Sequence, residues 1–412
     1  MEQIIAVIDL KSFYASCECA CRHLDVFKTP LVCCDPYRSA SSVVMSTTPY
    51  LKNKYGIPSV CRRRDLPSVP GMIYAVPRMS YYLQMSSKVI SIFLDFVAEE
   101  DLHVYSVDES FLNLAPYLNL YHCTPEALVQ RIQKTIKDKL GLVATAGIGP
   151  NLFLAKIALD VEGKKREPFL ARWNYEDVPA KLWSISPITE IWGIARGTSS
   201  HLARIGIRSL YQLAHANPAL LEREFGIMGK QLQDLANGRD ESNIEEKYVP
   251  KNVSLSNGQT LRRPYQGKEA LLLLREMVDE LMHRTWKGGY FVGQVSFWGS
   301  YGEKGTFAKQ MALPISTDDT DTLYEAACEL FSCAPNLPLR GLSISFGHLS
   351  QSKEEQISLF LDDETRREKR DLDLALDEIR RFYGKNSVLR CSSLLKGSTI
   401  KQRHEQIGGH KQ

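Results

Sequence analysis

The chain opens on an apolar, β-branched run, Ile4-Ile5-Ala6-Val7-Ile8-Asp9-Leu10, and the same texture returns at Val104-Tyr105-Ser106-Val107-Asp108-Glu109-Ser110-Phe111-Leu112. Each run predicts a buried strand, and each is interrupted by carboxylates. Buried acids need a compensating cation or proton. Successive strand residues point to opposite faces, so Asp108 and Glu109 converge on one site only if the chain turns there, as at a hairpin tip. Asp9, at a neighbouring strand end, then completes a three-carboxylate cluster. With neither His nor Cys beside it, such a cluster suits hard divalent cations, Mg2+ above all. Two such ions, roughly 3.5–4 Å apart, can activate one oxygen and stabilise another. Taken singly, Asp9 as a helix cap and Asp108-Glu109 as a solvated turn account for the same residues equally well.

The pattern between and after these strands predicts further elements. Ser12 is placed to cap a helix through Phe13, Tyr14, Cys17 and Leu24, which sets Tyr14 about one turn beyond Asp9. From Thr29 to Met72, short strand-like pieces alternate with polar segments rich in Lys and Arg, as in a small inserted α/β unit. Inside it, Thr47-Thr48-Pro49-Tyr50-Leu51-Lys52-Asn53-Lys54 sets hydroxyls before basic side chains, a combination able to contact phosphate oxygens. A solvated helix face fits that stretch too. A helix is predicted from Tyr81 to Phe96, and another from Thr124, where an N-cap, an N1 proline and the first-turn acid Glu126 precede Leu128, Ile132 and Ile136. Leu142–Gly149 predicts a strand ending in glycines, followed by a helix over 151–161. The order β, helix, hairpin, helix, β, helix predicts an antiparallel sheet carrying helices, an arrangement common to palm-type polymerases and nucleotidyl cyclases.

Helical periodicity runs from Pro179 to Gly238. Within it, Ile191-Trp192-Gly193-Ile194-Ala195-Arg196 through Ile205-Gly206-Ile207 resembles a helix-hairpin-helix, whose turn offers backbone N–H groups to DNA phosphates. Ala195 stands where that hairpin usually has a second glycine. Phe225-Gly226-Ile227-Met228-Gly229-Lys230 is a second candidate turn, with ordinary helix C-caps as the alternative. After a polar linker, Val253–Ser256, Val292–Phe297 and Leu342–Phe346 alternate as strands, with helices over 270–282 and 323–331, giving a separate α+β domain. Arg262, Arg263, Lys287 and Lys309 are placed to line a DNA backbone there. Beyond it, Gln356-Ile357-Ser358-Leu359-Phe360 has the form of a docking peptide, in which Leu359 and Phe360 fill a pocket and Gln356 is held by hydrogen bonds; an internal packing strand is the alternative. A helix over 362–383, with Leu372, Leu376, Ile379 and Tyr383 on one face, stops at Gly384.

Composition changes this picture little. With 44% hydrophobic and 24% charged residues, the 412-residue chain reads as an ordinary soluble protein of two to four domains, and its net charge of +3 leaves a basic groove to be balanced by acids elsewhere. No apolar run reaches the ~18 residues of a membrane span, and Met1-Glu2-Gln3 lacks a basic leader, so a cytoplasmic location is expected. The ten cysteines, with Cys17, Cys19 and Cys21 in one run and no C-x-x-C pair, read as buried reduced thiols.

Taken in order, Ala6–Ala15, Tyr105–Leu112, Ala146–Asn151 with Leu154–Ala158, the helix-hairpin-helix, Gly258–Leu261 and Gln356–Phe360 make the chain resemble a Y-family DNA polymerase of the UmuC-like group, the low-fidelity enzymes that copy past damaged bases. The resemblance covers nearly the whole chain. It implies a multidomain α/β and α+β fold: a palm of antiparallel sheet and helices (1–20 and 76–166), small fingers (21–75), a helical helix-hairpin-helix thumb (167–240), an α+β little finger (248–350) and a tail (351–412) with a clamp-binding peptide. It implies template-directed addition of deoxynucleotides to a primer 3′ end by a two-metal mechanism, in the setting of DNA-damage (SOS) mutagenesis.

Carried over residue by residue, Asp9, Asp108 and Glu109 are the catalytic acids and, with the Leu10 carbonyl, the ligands of two Mg2+ ions. Tyr14 falls on the steric-gate position that excludes a ribose 2′ hydroxyl. Thr47, Tyr50 and, offset by one residue, Lys164 fall on triphosphate contacts. Asn53 stands where the family has a basic residue, which leaves Lys52 or Lys54 to replace it. Gln356, Leu359 and Phe360 imply a sliding-clamp partner. Primer-template DNA and deoxynucleoside triphosphates are the other partners, with no membrane and a monomeric state expected. A nucleotidyl cyclase and a non-catalytic DNA-binding scaffold are the rival readings. The cyclase needs neither thumb nor clamp peptide, and intact acids oppose the scaffold.

Overall fold

The computed structural model describes residues 3–411 apart from 38, 59–60, 247–248, 251 and 352–362. The chain divides into two units, Met1–Lys247 and Tyr248–Lys411. In the first, β1 (Ile5–Leu10) leads into α1 (Phe13–Ala20). Then come β2 (Leu31–Cys33), β3 (Val43–Val44), β4 (Ser46–Thr47), α2 (Pro49–Tyr55), β5 (Cys61–Arg62) and β6 (Ile73–Ala75). They are followed by α3 (Met79–Leu94), β7 (Leu102–Val104), β8 (Glu109–Asn113), the single turn α4 (Leu118–Tyr121), α5 (Pro125–Leu140), β9 (Ala144–Gly149), α6 (Leu152–Ala158) and β10 (Leu170–Arg172).

Strand β1 is apolar on both faces, with Ala6, Val7 and Ile8 at most 1% exposed, and it takes the centre of a five-stranded sheet ordered β10-β9-β1-β8-β7. It pairs antiparallel with β8 and β9. The short β10, absent from the expected elements, adds a parallel pair beside β9. The hairpin expected at the acids is present: the backbone N–H groups of Tyr105 and Ser106 both donate to the Glu109 carbonyl at 3.0 Å. Helix α6 lies directly on β9. A Cβ at Gly147 would stand 2.1 Å from the Ala155 carbonyl oxygen, and one at Gly149 would stand 2.5 Å from the Ala155 nitrogen. Thr124 caps α5 as expected, its side chain accepting from the Ala127 N–H. Ser12 does not cap α1. Its left-handed backbone (φ 50°) departs from the extended N-cap geometry, and its hydroxyl makes no capping bond.

Between α1 and α3, the sheets β4-β2-β6 and β3-β5 enclose Val32, Cys34, Val44, Leu51, Ile57 and Val69. After β10 the chain is helical: α7 (Arg196–Arg204), α8 (Leu210–Ala214), α9 (Pro218–Phe225) and α10 (Ile227–Ala236). Their core of Leu202, Leu210, Leu213, Leu221 and Leu232 continues into Phe153, Leu154 and Ile157 of α6. None of the ten cysteines is in a disulfide, and Cys17, Cys19, Cys33 and Cys34 are buried, whereas Cys21 is exposed.

The second unit contains β11 (Leu255–Tyr265), α11 (Lys268–Gly288), β12 (Phe291–Ser300), β13 (Thr306–Thr317), α12 (Thr320–Ser332) and β14 (Leu339–Ser350), with an antiparallel sheet ordered β11-β14-β12-β13. Strand β13 was not among the expected elements, because Ala308-Lys309-Gln310 breaks its alternation. Arg263, expected on a DNA-lining face, is instead ion-paired with Glu269 at 2.6 Å.

Of the residues expected to form a tail, 363–411 belong to this unit. Helix α13 (Asp363–Tyr383) ends at Gly384 (φ 94°), as expected. Its acidic side faces the unit: Asp373 accepts from Thr320 Oγ1 at 2.7 Å, and Asp377 lies 2.6 Å from His283 Nδ1. The apolar stripe points outward, with Tyr383 80% exposed. The following segment returns to α11, where Arg390 holds Asp279 at 2.7 Å and Ser398 donates to Glu276 at 2.5 Å. Gln356, Leu359 and Phe360 lie outside the described residues. Among the described residues, no helix is long and apolar enough to cross a membrane.

Candidate active site

The alternation of β1 and β8 places Ile5, Val7, Asp9, Glu109 and Phe111 toward α6, where Ile5, Val7 and Phe111 pack with Leu152 and Ala155. Asp9 and Glu109 are direct partners across the two strands. Both are largely buried, with side-chain exposures of 16% and 8%. Helix α6 and the helical turn after it, Leu159–Gly163, answer them with cations. Lys156 Nζ donates to Glu109 Oε2 at 2.8 Å and also lies 3.3 Å from Asp160. Lys164 Nζ bridges Asp9 Oδ2 at 3.0 Å and Asp160 Oδ1 at 2.9 Å. Lys156 and Asp160 were not singled out from the sequence. Their signal is the spacing Lys156, Asp160, Lys164, four residues apart, which sets the three along one side of α6 and the turn after it.

Asp108 sits at the hairpin turn. Its carbonyl accepts from the Leu10 N–H at 2.9 Å, which binds the end of β1 to the turn, and its carboxylate accepts from Ser106 Oγ at 2.7 Å. Burial pushes the Asp9 carboxyl up, Lys164 opposes this, and the charge of Asp108 adds to it. Burial likewise pushes Glu109 up against the pull of Lys156, and Asp9 adds to the rise. The three acids thus act on one another, but they do not form a bare cluster. Among the described residues, no three carboxylate, imidazole or thiol side chains close into a metal cage. Two ammonium groups stand among the acids instead, because buried carboxylates must be neutralised by whatever cation the fold supplies.

The donor set nevertheless fits a hard divalent ion. It is all oxygen, and burial raises both Asp9 and Glu109. Glu109 Oε1 accepts no hydrogen bond but already faces a cation, the Lys156 ammonium at 2.8 Å, so the site is one in which the fold holds positive charge against that oxygen.

Tyr14 lies in the first turn of α1, with its ring 4.9 Å from that of Tyr82. Burial and then the charge of Asp108 push its phenol up. Thr47 is fully buried on β4, and its hydroxyl has no partner. Tyr50 is at the start of α2. Its hydroxyl accepts from Lys54 Nζ at 3.0 Å, and that bond holds the phenol below its usual range. Lys54 is therefore engaged, whereas Lys52 is half-buried, lowered first by burial, and feels the charges of Asp9 and Lys164. Lys11, also missed in the sequence, donates to the Lys164 carbonyl at 2.7 Å and feels the charges of Lys52, Asp9 and Lys164. Among the described residues, neither Lys11 nor Lys52 has a carboxylate ion-pair partner.

Residues 8–160 match the model of the impB/mucB/samB family, and residues 252–359 match that family's C-terminal domain. The chain is 33% identical to the putative UV-damage repair protein UvrX of Bacillus subtilis, with 99% of this chain and 97% of that protein aligned. It is 30% identical to DNA polymerase IV 2 of the same organism, over 99% of each. Its fold is similar to that of a Y-family DNA polymerase chimera, with a TM-score of 0.67, 19% identity, and coverage of 85% of this chain and all of that one.

Proposed function

Because the chain belongs to the impB/mucB/samB family of Y-family DNA polymerases, we propose that it adds deoxynucleotides to a primer 3′ end on a DNA template and is specialised for synthesis past damaged bases. The observation that carries the reading is the placement of Asp9 opposite Glu109 on the adjacent strands β1 and β8, with Asp108 at the turn between β7 and β8. Asp9, Asp108, Glu109 and the Leu10 carbonyl would hold two Mg2+ ions. When bound, these supply activation of the primer 3′ oxygen and neutralisation of the phosphates.

The chain's own residues do the remaining work. Lys156 and Lys164 hold the Glu109 and Asp9 carboxylates in place by ion pairs. Tyr14 occupies the space that a ribose 2′ hydroxyl would need. Lys11 and Lys52, lacking carboxylate partners, take the triphosphate charge that Asn53 cannot, while Lys54 stays with Tyr50. Thr47, Tyr50 and Lys164 complete the phosphate contacts. The turns at Gly193 and Gly226, both at positive φ, present backbone N–H groups to DNA phosphates. Small fingers offer few contacts with which to reject a misshapen pair, so selection is loose. The enzyme acts as a monomer and docks on a bacterial-type sliding clamp through Gln356, Leu359 and Phe360.

Primer extension on plain and pyrimidine-dimer templates tests the reading. The wild type is expected to extend both, and Glu109→Ala neither. Cyclic product from nucleoside triphosphate and Mg2+ alone would move the assignment to a cyclase. Retained clamp affinity in a Leu359→Ala, Phe360→Ala double variant would remove the docking assignment.

A further inference from the structure

Trp192 reaches from the helical segment to the hairpin that carries two of the acids. Its indole N–H donates to the Tyr105 hydroxyl at 3.3 Å, and the two rings meet edge-on at 6.0 Å and 78°. The same indole lies 6.4 Å from the Phe111 ring, which in turn meets Tyr105 at 5.7 Å and 90°. Tyr105 precedes the turn and Phe111 follows it, so one side chain touches both arms of the hairpin whose tip holds Asp108 and Glu109. The links to the acids are short. The Tyr105 backbone N–H donates to the Glu109 carbonyl at 3.0 Å, and Phe111, two residues along β8, shares the Glu109 face.

On its other side, Trp192 is fixed to the phosphate-facing turn. Ile191 and Ile194 are buried at 3% and 2% exposure in the helical core, and Gly193 (φ 92°) turns the chain between them and α7. Trp192 packs on the helical core and on buried Phe111, while Tyr105 is 48% exposed, so the Trp192–Tyr105 contact lies at the rim of that packing. The value of such a contact lies in where it holds the backbone. We propose that Trp192 is a positioning residue that ties the DNA-gripping turn at Gly193 to the acid-bearing hairpin, so that nucleotide addition is fast only when that turn is seated on DNA.

The inference rests on the polymerase reading above and is tested on the full chain with primer-template DNA, one deoxynucleoside triphosphate and Mg2+. At saturating DNA, Trp192→Ala is expected to slow single-turnover insertion roughly 10–100-fold and to raise the half-saturating Mg2+, because small displacements of reacting groups cost that much. DNA affinity by fluorescence anisotropy is expected to stay within about two-fold. Trp192→Phe keeps the ring contact and recovers most of the rate. Tyr105→Ala adds little in the Trp192→Ala background, since both act through one contact. Unchanged insertion and Mg2+ dependence at saturating DNA, or fully additive losses, would overturn the proposal. Should Trp192→Ala unfold, Tyr105→Ala, at a 48% exposed position, decides: a raised half-saturating Mg2+ supports the link, and an unchanged one overturns it. A parallel Glu109→Ala assay separates the two failures. Extension retained there removes the polymerase reading, whereas normal Trp192→Ala insertion beside inactive Glu109→Ala removes only this inference.

Discussion

Lys156 Nζ lies 2.8 Å from the carboxylate of Glu109, and both side chains are only 8% exposed. Two opposite charges held in so dry a place are worth little against a well-packed apolar pair, yet losing one partner strands the other. The ammonium group therefore stabilises the fold by doing part of what a divalent ion would do for the same carboxylate.

Lys156→Met should make stability depend on the metal. Breaking a buried pair costs about 3–5 kcal/mol, and binding of a cation to the native state alone returns part of that. The variant is expected to melt well below wild type in EDTA and to recover with added MgCl2, while wild type responds much less. Equal responses of the two proteins would dissociate Lys156 from the metal site.

Tyr14 packs its ring on Tyr82 and feels the charge of Asp108. Tyr14→Ala opens that space, and the ratio of ribonucleotide to deoxynucleotide insertion should rise about 10–100-fold, the range open to a steric filter. Competitive single-nucleotide insertion measures it, and an unchanged ratio would show that another side chain bars the 2′ hydroxyl.

The acid limb of stability should carry the signature of Glu18. This carboxylate is fully buried and accepts from Arg78 Nε and Nη2 at 3.0 Å, from Tyr82 at 2.8 Å, and from Arg22. Burial works to raise it, but the bonds from Arg78, Arg22 and Tyr82 prevail and hold it below the usual 4.5. A carboxyl lowered by folding contributes stability that is present above its unfolded value and lost as pH falls through its folded value. Thermal unfolding of wild type should therefore drop more steeply than that of Glu18→Gln from about pH 5 to pH 3. Parallel slopes would contradict the assignment.

Glu276 in α11 is 1% exposed, and its hydrogen-bond donors come from the returning segment: Ser398 Oγ at 2.5 Å and the Thr399 N–H at 3.1 Å. Deleting residues 385–412 leaves that carboxylate without them and should lower stability to urea by at least about 1–3 kcal/mol. Glu276→Leu should restore part of the loss only in the truncated chain. A truncation as stable as the full chain would mean that the segment does not cover α11 in solution. For the same reason the clamp peptide is better tested by Leu359→Ala with Phe360→Ala than by truncation before Gln356.

The two acid-bearing strands and their hairpin were legible because strand period, β-branching and the carboxylates all lie within a few consecutive residues. Thr124-Pro125-Glu126 and Gly384 marked helix ends for the same local reason. The pairing of Lys156 with Glu109 was not legible, since it comes from the docking of α6 on β9, and the four-residue spacing to Lys164 does not say which acid it meets. Nor was the Trp192–Tyr105 bond, which joins residues 87 apart in the chain. Strands β10 and β13 escaped because one is only three residues long and the other carries a polar interruption. The α13 stripe was placed correctly on one face, yet that face turns outward because Asp373 and Asp377 find partners on the inner side.

Gly147 and Gly149 leave no room between β9 and α6, and side chains there would collide with the Ala155 backbone. A polymerase can be lenient about the shape of the base it copies and still require its reacting oxygen to be aimed within a fraction of an ångström. The glycine floor keeps those two demands apart: tolerance can vary in the parts that touch the bases, while the helix that carries Lys156 has nowhere to drift. Lineages that trade accuracy for reach can therefore reshape their grip on the template without retuning the chemistry beneath it.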